Sequence, residues 1–356
     1  MALEVKKDIR QFSLDEIKNE LTNLGEKPFR AKQIYEWLWV KSATHFDQMT
    51  NLSLKLRDLL SEKFAINPIL LAEEQISNDN TIKTAFKLYD DNIIEGVLIP
   101  TESRMTACIS SQVGCSLSCK FCATGFLERK RNLEPGEIYD QVVMIGRQAQ
   151  EKYNIPLSNI VLMGMGEPLL NYHNVLKGID HITSENGLNM SPKRITLSTA
   201  GIAKMMKKLA DDQVKFNLAL SLHAADDQKR NTIMPINESN SLNALSEALT
   251  YFYKKTKNKV TLEYIAFHNF NLTMEDAKNL VRFASKLPCK VNIIEYNPID
   301  QGEFSRAEPA ELDAFTSYLE SKGLTVNVRR SRGKDIDAAC GQLANKSKTA
   351  TLKANL

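Results

Sequence analysis

The sequence predicts an α/β fold, an open and mostly parallel sheet curled into a partial barrel, with a small helical unit in front of it. Three observations predict it. Beyond residue 104, short β-favouring runs alternate with amphipathic helical runs, as in a parallel sheet covered by helices. Six such strands precede a terminal one, which suits a partial barrel better than a complete eightfold one. The ends of those strands read GMGEP, LSTAG, SLHA and YNP, a departure from core composition where such folds gather their chemistry.

The elements follow in order. Ser13 and Glu16 in SLDE make a capping box, and Ile17, Leu21 and Leu24 continue at helical spacing. Pro28 opens a second amphipathic segment through Ile34, Trp37 and Leu38, and Leu52 to Leu60 forms a third. These runs predict a helical accessory domain over residues 1–68. From about Ile69 the signal changes to strands: TIKTAFKLY, NIIEGVLI and RMTACIS. A β extension is expected over 69–103. Glu95 stands out in it, because a carboxylate among Ile93, Ile94, Val97, Leu98 and Ile99 either alternates outward to water or is held at a site. The barrel is expected over 104–328. Its strands are RMTACIS, NIVLMG, RITLST, VKFNLALSL, KVTLEYIAF and CKVNIIEY, with TVNVRR terminal. Its helices run from Glu134 to Lys152, Tyr172 to Thr183, Ile202 to Leu209, Leu242 to Lys255, Met274 to Leu287 and Pro309 to Lys322. Pro135 and Pro309 suit first helical turns. Residues 329–356 form a C-terminal segment.

The 356 residues are enough for about two domains, and 43% hydrophobic with 25% charged residues is ordinary globular composition. No apolar run approaches a membrane span, so no membrane partner is expected. The opening MALEVKKDIRQFSLDE lacks the apolar core of a signal peptide, which predicts a cytoplasmic protein. A net charge of +3 does not by itself announce nucleic acid. Its distribution says more: from Lys322 to Lys353 eight basic residues face only Asp335 and Asp337, and Arg129-Lys130-Arg131 forms a second cluster. Solvated surface is the commoner fate of such runs.

Six cysteines without a secretory signal favour metal ligation or covalent catalysis over a disulfide framework. Cys115, Cys119 and Cys122 crowd into GCSLSCKFCATG, and no other Cys or His lies between Cys108 and His173. A structural zinc site would need a fourth such ligand. An iron–sulfur cluster held by three thiolates instead leaves one iron open to a non-protein ligand.

This spacing, after a strand and before a helix, resembles the signature of the radical S-adenosylmethionine (SAM) enzymes, and the six βα units resemble their partial (β/α)6 barrel. The resemblance implies a [4Fe-4S] cluster on Cys115, Cys119 and Cys122, with the amino and carboxylate groups of SAM on the open iron. An electron from the cluster then cleaves SAM to methionine and a 5′-deoxyadenosyl radical. Phe121 matches the aromatic position that packs on the cofactor's adenine. Gly164 to Pro168, with Gly166 and Glu167, looks like the glycine-rich segment that binds the methionine amino group. Ser198, the run Ser221-Leu222-His223, and Asn297 match further cofactor-contacting positions. Taken singly, each has a plain alternative: a capping serine, a core histidine, an Asn-Pro turn.

ACISSQVGCSLSCKFCATG, MGMGEPLLN, SLHA, MPIN, DIDAACGQLA and the N-terminal GEKPFRAKQIYEWLW together resemble the bacterial ribosomal-RNA adenine-C2 methyltransferase family, over residues 13 to 346 or so. The resemblance implies methylation of an adenine C2 in 23S rRNA at the peptidyl-transferase centre, with tRNA as a second candidate substrate. It implies two SAM molecules per turnover, a flavodoxin-type electron donor and a monomer. It gives Cys340 the role of methyl carrier, Cys108 that of resolving thiol through a transient disulfide, and Glu95 that of proton acceptor. Cys289 has no accompanying motif and reads as a buried core thiol. Lys27, Arg30, Lys32, Arg129 to Arg131 and Arg329 to Lys334 become the candidate RNA contacts. Two alternatives stand beside this reading. One is a related resistance methyltransferase acting on C8 of the same adenine, which Glu167-Pro168 and GEKPFRAKQ fit less well. The other is a metal-bearing RNA-binding protein without turnover.

Overall fold

The computed structural model describes residues 6–346. Its first elements are the three helices α1 (Leu14–Asn23), α2 (Arg30–Trp39) and α3 (Leu54–Lys63), enclosed by a short parallel pair, β1 (Lys7–Asp8) with β2 (Phe64–Ala65). The capping box is formed: Ser13 Oγ accepts the Glu16 amide and the Glu16 carboxylate accepts that of Ser13. Ile17 and Leu21 of α1 and Ala31, Ile34, Leu38 and Trp39 of α2 turn inward, so the apolar stripes face one core.

β3 (Leu70–Ile76), β4 (Ile82–Lys87), β5 (Ile93–Thr101) and β6 (Arg104–Cys108) pair antiparallel in sequence. A small antiparallel ribbon, β7 (Gln112–Val113) with β8 (Arg131–Asn132), brackets the cysteine loop. The chain then alternates α4 (Pro135–Tyr153), β9 (Asn159–Leu162), α5 (Tyr172–Thr183), β10 (Ile195–Thr199), α6 (Ala203–Asp211) and β11 (Asn217–Ser221). It continues through α7 (Asp227–Ile233), α8 (Leu242–Thr256), β12 (Val260–Ala266), α9 (Met274–Ala284), β13 (Cys289–Glu295), α10 (Pro309–Ser321) and β14 (Val326–Arg329). β6 and β9 to β14 are parallel, and the extension joins them at β6. The result is one ten-stranded sheet ordered β14-β13-β12-β11-β10-β9-β6-β5-β4-β3.

The expected strands and helices are all present, and Pro135 and Pro309 occupy first helical turns. The two-residue strands β1, β2, β7 and β8 were not expected, and neither were two longer elements. β3 carries LLAEEQI, is half-exposed at the sheet edge and bulges between Leu71 and Glu73, so it shows no alternation to detect. α7 is only seven residues and buries Arg230 as well as Ile233, which breaks the apolar pattern.

The accessory helices dock on α4 and α5. Trp39 stacks on His181 with centroids 3.6 Å apart, Tyr139 donates to the Trp39 carbonyl, and buried Arg10 pairs with Asp8 and Asp140. Among the described residues no helix is long and apolar enough to cross a membrane. Lys348 and Lys353 of the basic stretch lie outside the described residues.

Candidate active site

The carboxyl ends of the parallel strands, the cysteine loop and the C-terminal segment enclose a cavity with about 920 Å³ of empty space, part of it open to solvent. That is ample for a small cofactor. Cys115, Cys119, Cys122, Gly166, Glu167, Ser198, Ser221, His223 and Cys340 all line it. Residues up to 225 positions apart in the expectation thus meet at one place.

The cysteine loop is held from two sides. Gly114 turns with φ +75°, where a Cβ would strike the Glu128 carbonyl, and the Cys115 amide donates to the Leu127 carbonyl. Burial pushes the Cys115 thiol up to about 11 and those of Cys119 and Cys122 up as well, with Arg230 working against it at Cys119. Such thiols ionise when a cationic metal centre takes them as ligands. Among the described residues, no three His, Cys, Asp or Glu side chains converge as one metal ion requires. Three soft thiolate donors ringing a common space suit a multi-iron cluster, which takes one thiolate at each of three corners. The residues present therefore fit the cluster better than zinc.

Opposite the loop, Glu167 is buried and fully engaged. Its Oε1 accepts the Leu169 amide at 3.0 Å and its Oε2 that of Ala200 at 2.7 Å, and these bonds work against the burial that raises its pKa. Gly166, at φ +94°, has no room for a Cβ because Gln112 stands 2.5 Å from its position. The glycine is demanded by the protein's own packing. Ser198 and Ser221 lie with hydroxyls 3.4 Å apart on β10 and β11. His223 accepts the Ile265 amide at Nδ1, and burial together with Arg230 lowers its pKa to about 3, so it is a neutral wall. Phe121 meets its ring edge-on at 4.7 Å.

Four expected residues stand off the cavity. Leu222 is buried, and its carbonyl accepts from Arg230 at 3.0 Å, so only its backbone serves the site. Asn297 is buried behind the wall; its Nδ2 donates to the Cys340 carbonyl at 3.3 Å, and its Oδ1 has no partner among the described residues. Cys108, at the end of β6, is packed in the core. Burial pushes its thiol up to about 12, and the charge of Cys340 adds to the effect, so the two sulfurs are within electrostatic reach. Glu95 is held and does not face water. Its Oε2 accepts the amides of Ala344 and Asn345 at 2.9 and 3.1 Å, and its Oε1 lies 3.8 Å from the Lys83 ammonium.

Those bonds fix the segment carrying Cys340. The Ala123 amide donates to the Gly341 carbonyl at 2.7 Å, Thr124 Oγ1 donates to that of Leu343 at 2.7 Å, and Gln342 reaches the Pro298 carbonyl. Cys340 is open to the cavity space yet ringed by protein, and the loss of surrounding water pushes its thiol up to about 12.

Sequence reasoning missed two site residues. Arg230, fully buried, bonds the carbonyls of Ala200, Ser221 and Leu222 and so ties the ends of β10 and β11. Glu263 on β12 lines the cavity. Its signal was present, a lone carboxylate in the apolar run KVTLEYIAF, the same oddity that drew notice to Glu95.

The cationic candidates for RNA divide. Lys27, Lys32, Arg129, Lys130, Arg329 and Arg330 are exposed. Arg131 is bound to Asp90 and Glu137, and Lys334 to Glu295, so these two stabilise the fold's own loops.

Comparison with known proteins agrees with this architecture. Residues 7–66 match the ribosomal RNA large subunit methyltransferase N-terminal domain, and residues 109–284 match the radical SAM superfamily. The probable dual-specificity RNA methyltransferase RlmN of Cytophaga hutchinsonii is 63% identical over 341 residues, covering 96% of this chain and 93% of the relative. The protein of that name from Bacillus subtilis is 40% identical over 352 residues, covering 97% of each. A crystal structure of a radical SAM methyltransferase from Sphaerobacter thermophilus superimposes with a TM-score of 0.89 at 37% identity, covering 95% of this chain and 99% of that one. Alike to these relatives over nearly its whole length, the chain belongs to the RlmN family of radical SAM RNA methyltransferases.

Proposed function

We propose that this chain methylates C2 of an adenine in 23S rRNA and that Cys340 carries the carbon. The observation that supports this most directly is that Cys340 and the three cluster cysteines line one cavity. As a radical SAM protein it uses a [4Fe-4S] cluster and SAM. When bound, these supply a transferable methyl group and a one-electron route to a carbon radical.

The chain's residues then have distinct tasks. Cys115, Cys119 and Cys122 hold the cluster, while Gly166, Glu167, Ser198, Ser221 and the backbone at Leu222 and His223 shape the cofactor's bed. Adenine C2 is an electron-poor carbon and does not attack a methyl group itself, so the carbon is first parked on a protein sulfur. The Cys340 thiol loses its proton, its sulfur forms a bond to the methyl carbon, and the sulfonium bond of SAM breaks. The bound cofactor would supply the one-electron chemistry that breaks a C–H bond of that S-methyl group and would keep the hydrogen, and the carbon so activated would add to C2, joining RNA and Cys340. Release requires a base for the C2 proton and a thiol to attack the Cys340 sulfur as its bond to the transferred carbon breaks, roles that fall to Glu95 and Cys108. The freed carbon takes up a proton, and the odd electron would return to the bound one-electron cofactor. Since Glu95 holds the Ala344 and Asn345 amides, it is freed for this task only when that segment shifts. The disulfide left behind is reduced before the next turnover. The exposed cations around Lys27, Lys32, Arg129 and Arg329 suit phosphate contacts, and the base leaves its stack to enter the cavity. The dual specificity in the relatives' name supports a second RNA substrate, for which tRNA is the candidate, and a flavodoxin-type protein suits the electron supply.

The test is anaerobic incubation of reconstituted protein with a 23S rRNA fragment, SAM and reductant, then mass spectrometry of nucleosides and of the tryptic peptide 335–346. We expect 2-methyladenosine, a methyl group on Cys340, no product from Cys340→Ala, and a protein–RNA adduct from Cys108→Ala. 8-Methyladenosine, or active protein with Cys340 unmodified, would overturn the proposal.

A further inference from the structure

Glu263 is a buried carboxylate with one oxygen engaged and one left over. It sits in a register row that crosses four strands: Ser221 pairs with Glu263, Glu263 with Asn292, and Asn292 with Asn327. The row is wired in one direction. Asn327 Nδ2 donates to Asn292 Oδ1 at 3.3 Å, and Asn292 Nδ2 donates to Glu263 Oε1 at 2.8 Å. Oε2 is buried and has no hydrogen-bond partner among the described residues, although the residue forms part of the cavity wall. Buried acceptors are normally satisfied, so an orphan at a cavity wall marks a place for a donor from outside the protein. The terminal carboxylate torsion is soft, so its oxygens can reorient toward an arriving donor. Burial opposes the ionised form, and Arg329, the Asn292 bond and Lys290 oppose burial. Cys340 shares this part of the cavity, close enough to feel the Glu263 charge.

We propose that Glu263 reads the exocyclic amine of an adenine, whose N6–H supplies the missing donor to Oε2. An acceptor oxygen selects for adenine, which offers a donor at this position, and against guanine or hypoxanthine, which place a carbonyl oxygen there. The target base and SAM both contain adenine, so the shared chemistry is the amine and its source is decided by experiment. The inference rests on the adenine-methylating reading of this cavity.

The experiment uses RNA hairpins with adenosine, purine riboside or inosine at the target position, each retaining C2–H. Wild-type protein is expected to bind and modify the inosine hairpin at least about tenfold less efficiently than adenosine, with purine riboside between them. In Glu263→Gln the amide oxygen keeps the Asn292 bond and an N–H2 replaces Oε2, so the adenosine preference shrinks or inverts. An adenosine-to-inosine ratio that is absent in the wild type or unchanged in folded Glu263→Gln overturns the proposal when Glu263→Gln also loads Cys340 with methyl as the wild type does, since neither adenine then depends on Glu263. The wild-type comparison needs no variant and stands even if Glu263→Gln melts early. Methyl loading of Cys340 requires SAM and no RNA: loading that persists in Glu263→Gln assigns the amine to the RNA base, and loading that fails assigns it to the cofactor. If the wild type makes no 2-methyladenosine, the functional reading fails, while the ratio of hairpin dissociation constants still judges Glu263.

Discussion

Lys83 and Glu95 are both buried, on adjacent antiparallel strands, with ammonium and carboxylate 3.8 Å apart. Burial raises the Glu95 pKa, while Lys83 and the amides of Asn345 and Ala344 pull it back. Replacing Lys83 by Met removes the pull of the cation and leaves burial less opposed, so the pKa moves further up. In the proposed release step Glu95 can accept a proton only when ionised. The acid limb of the pH–rate profile for RNA release is therefore expected to shift to higher pH in Lys83→Met and to stay near wild type in Lys83→Arg. A uniformly slower profile with an unmoved limb would reduce Lys83 to a prop for the fold. At this scale the sequence was legible where chemistry demands an unusual residue or spacing, as with the three loop cysteines. It was silent on Lys83 and Arg230, since nothing about a lone cation in sequence says that it will be buried.

Elements were legible wherever a local signal starts or stops them. Ser13, Pro135 and Pro309 announce their helices, and the parallel strands stand out as apolar runs. The docking of the accessory helices was not legible, because it depends on which faces meet. That docking turns on α2 and α5, where Trp39 lies flat on His181. Burial, with Lys177 and Arg10 nearby, lowers the His181 pKa to about 3. Its folded value thus lies below its unfolded value of about 6.5, and the neutral ring favours the fold. This stability is complete above the unfolded pKa and is lost as pH falls toward the folded one, about 2 kcal/mol of it between pH 7 and pH 5. Denaturant unfolding at both pH values is expected to show His181→Phe spared that loss. An identical loss in the variant would place the acid sensitivity elsewhere.

Over the whole molecule, the ten-stranded sheet puts the cysteine loop, the strand-end motifs and the C-terminal segment on one rim. The parallel half of that sheet could be read from alternation. Its continuation through β5, β4 and β3 could not, because strand pairing across a junction leaves no periodic mark. The segment around Cys340 lies against the loop it serves, bonded through Ala123 and Thr124. This closure gives maturation an order. During synthesis the loop emerges some two hundred residues ahead of its cover, so iron and sulfide have an unobstructed path that the finished chain narrows. Apoprotein lacking residues 329–356 should take up iron faster than the full chain, and equal uptake rates would show that the closing tail is no barrier to metallation.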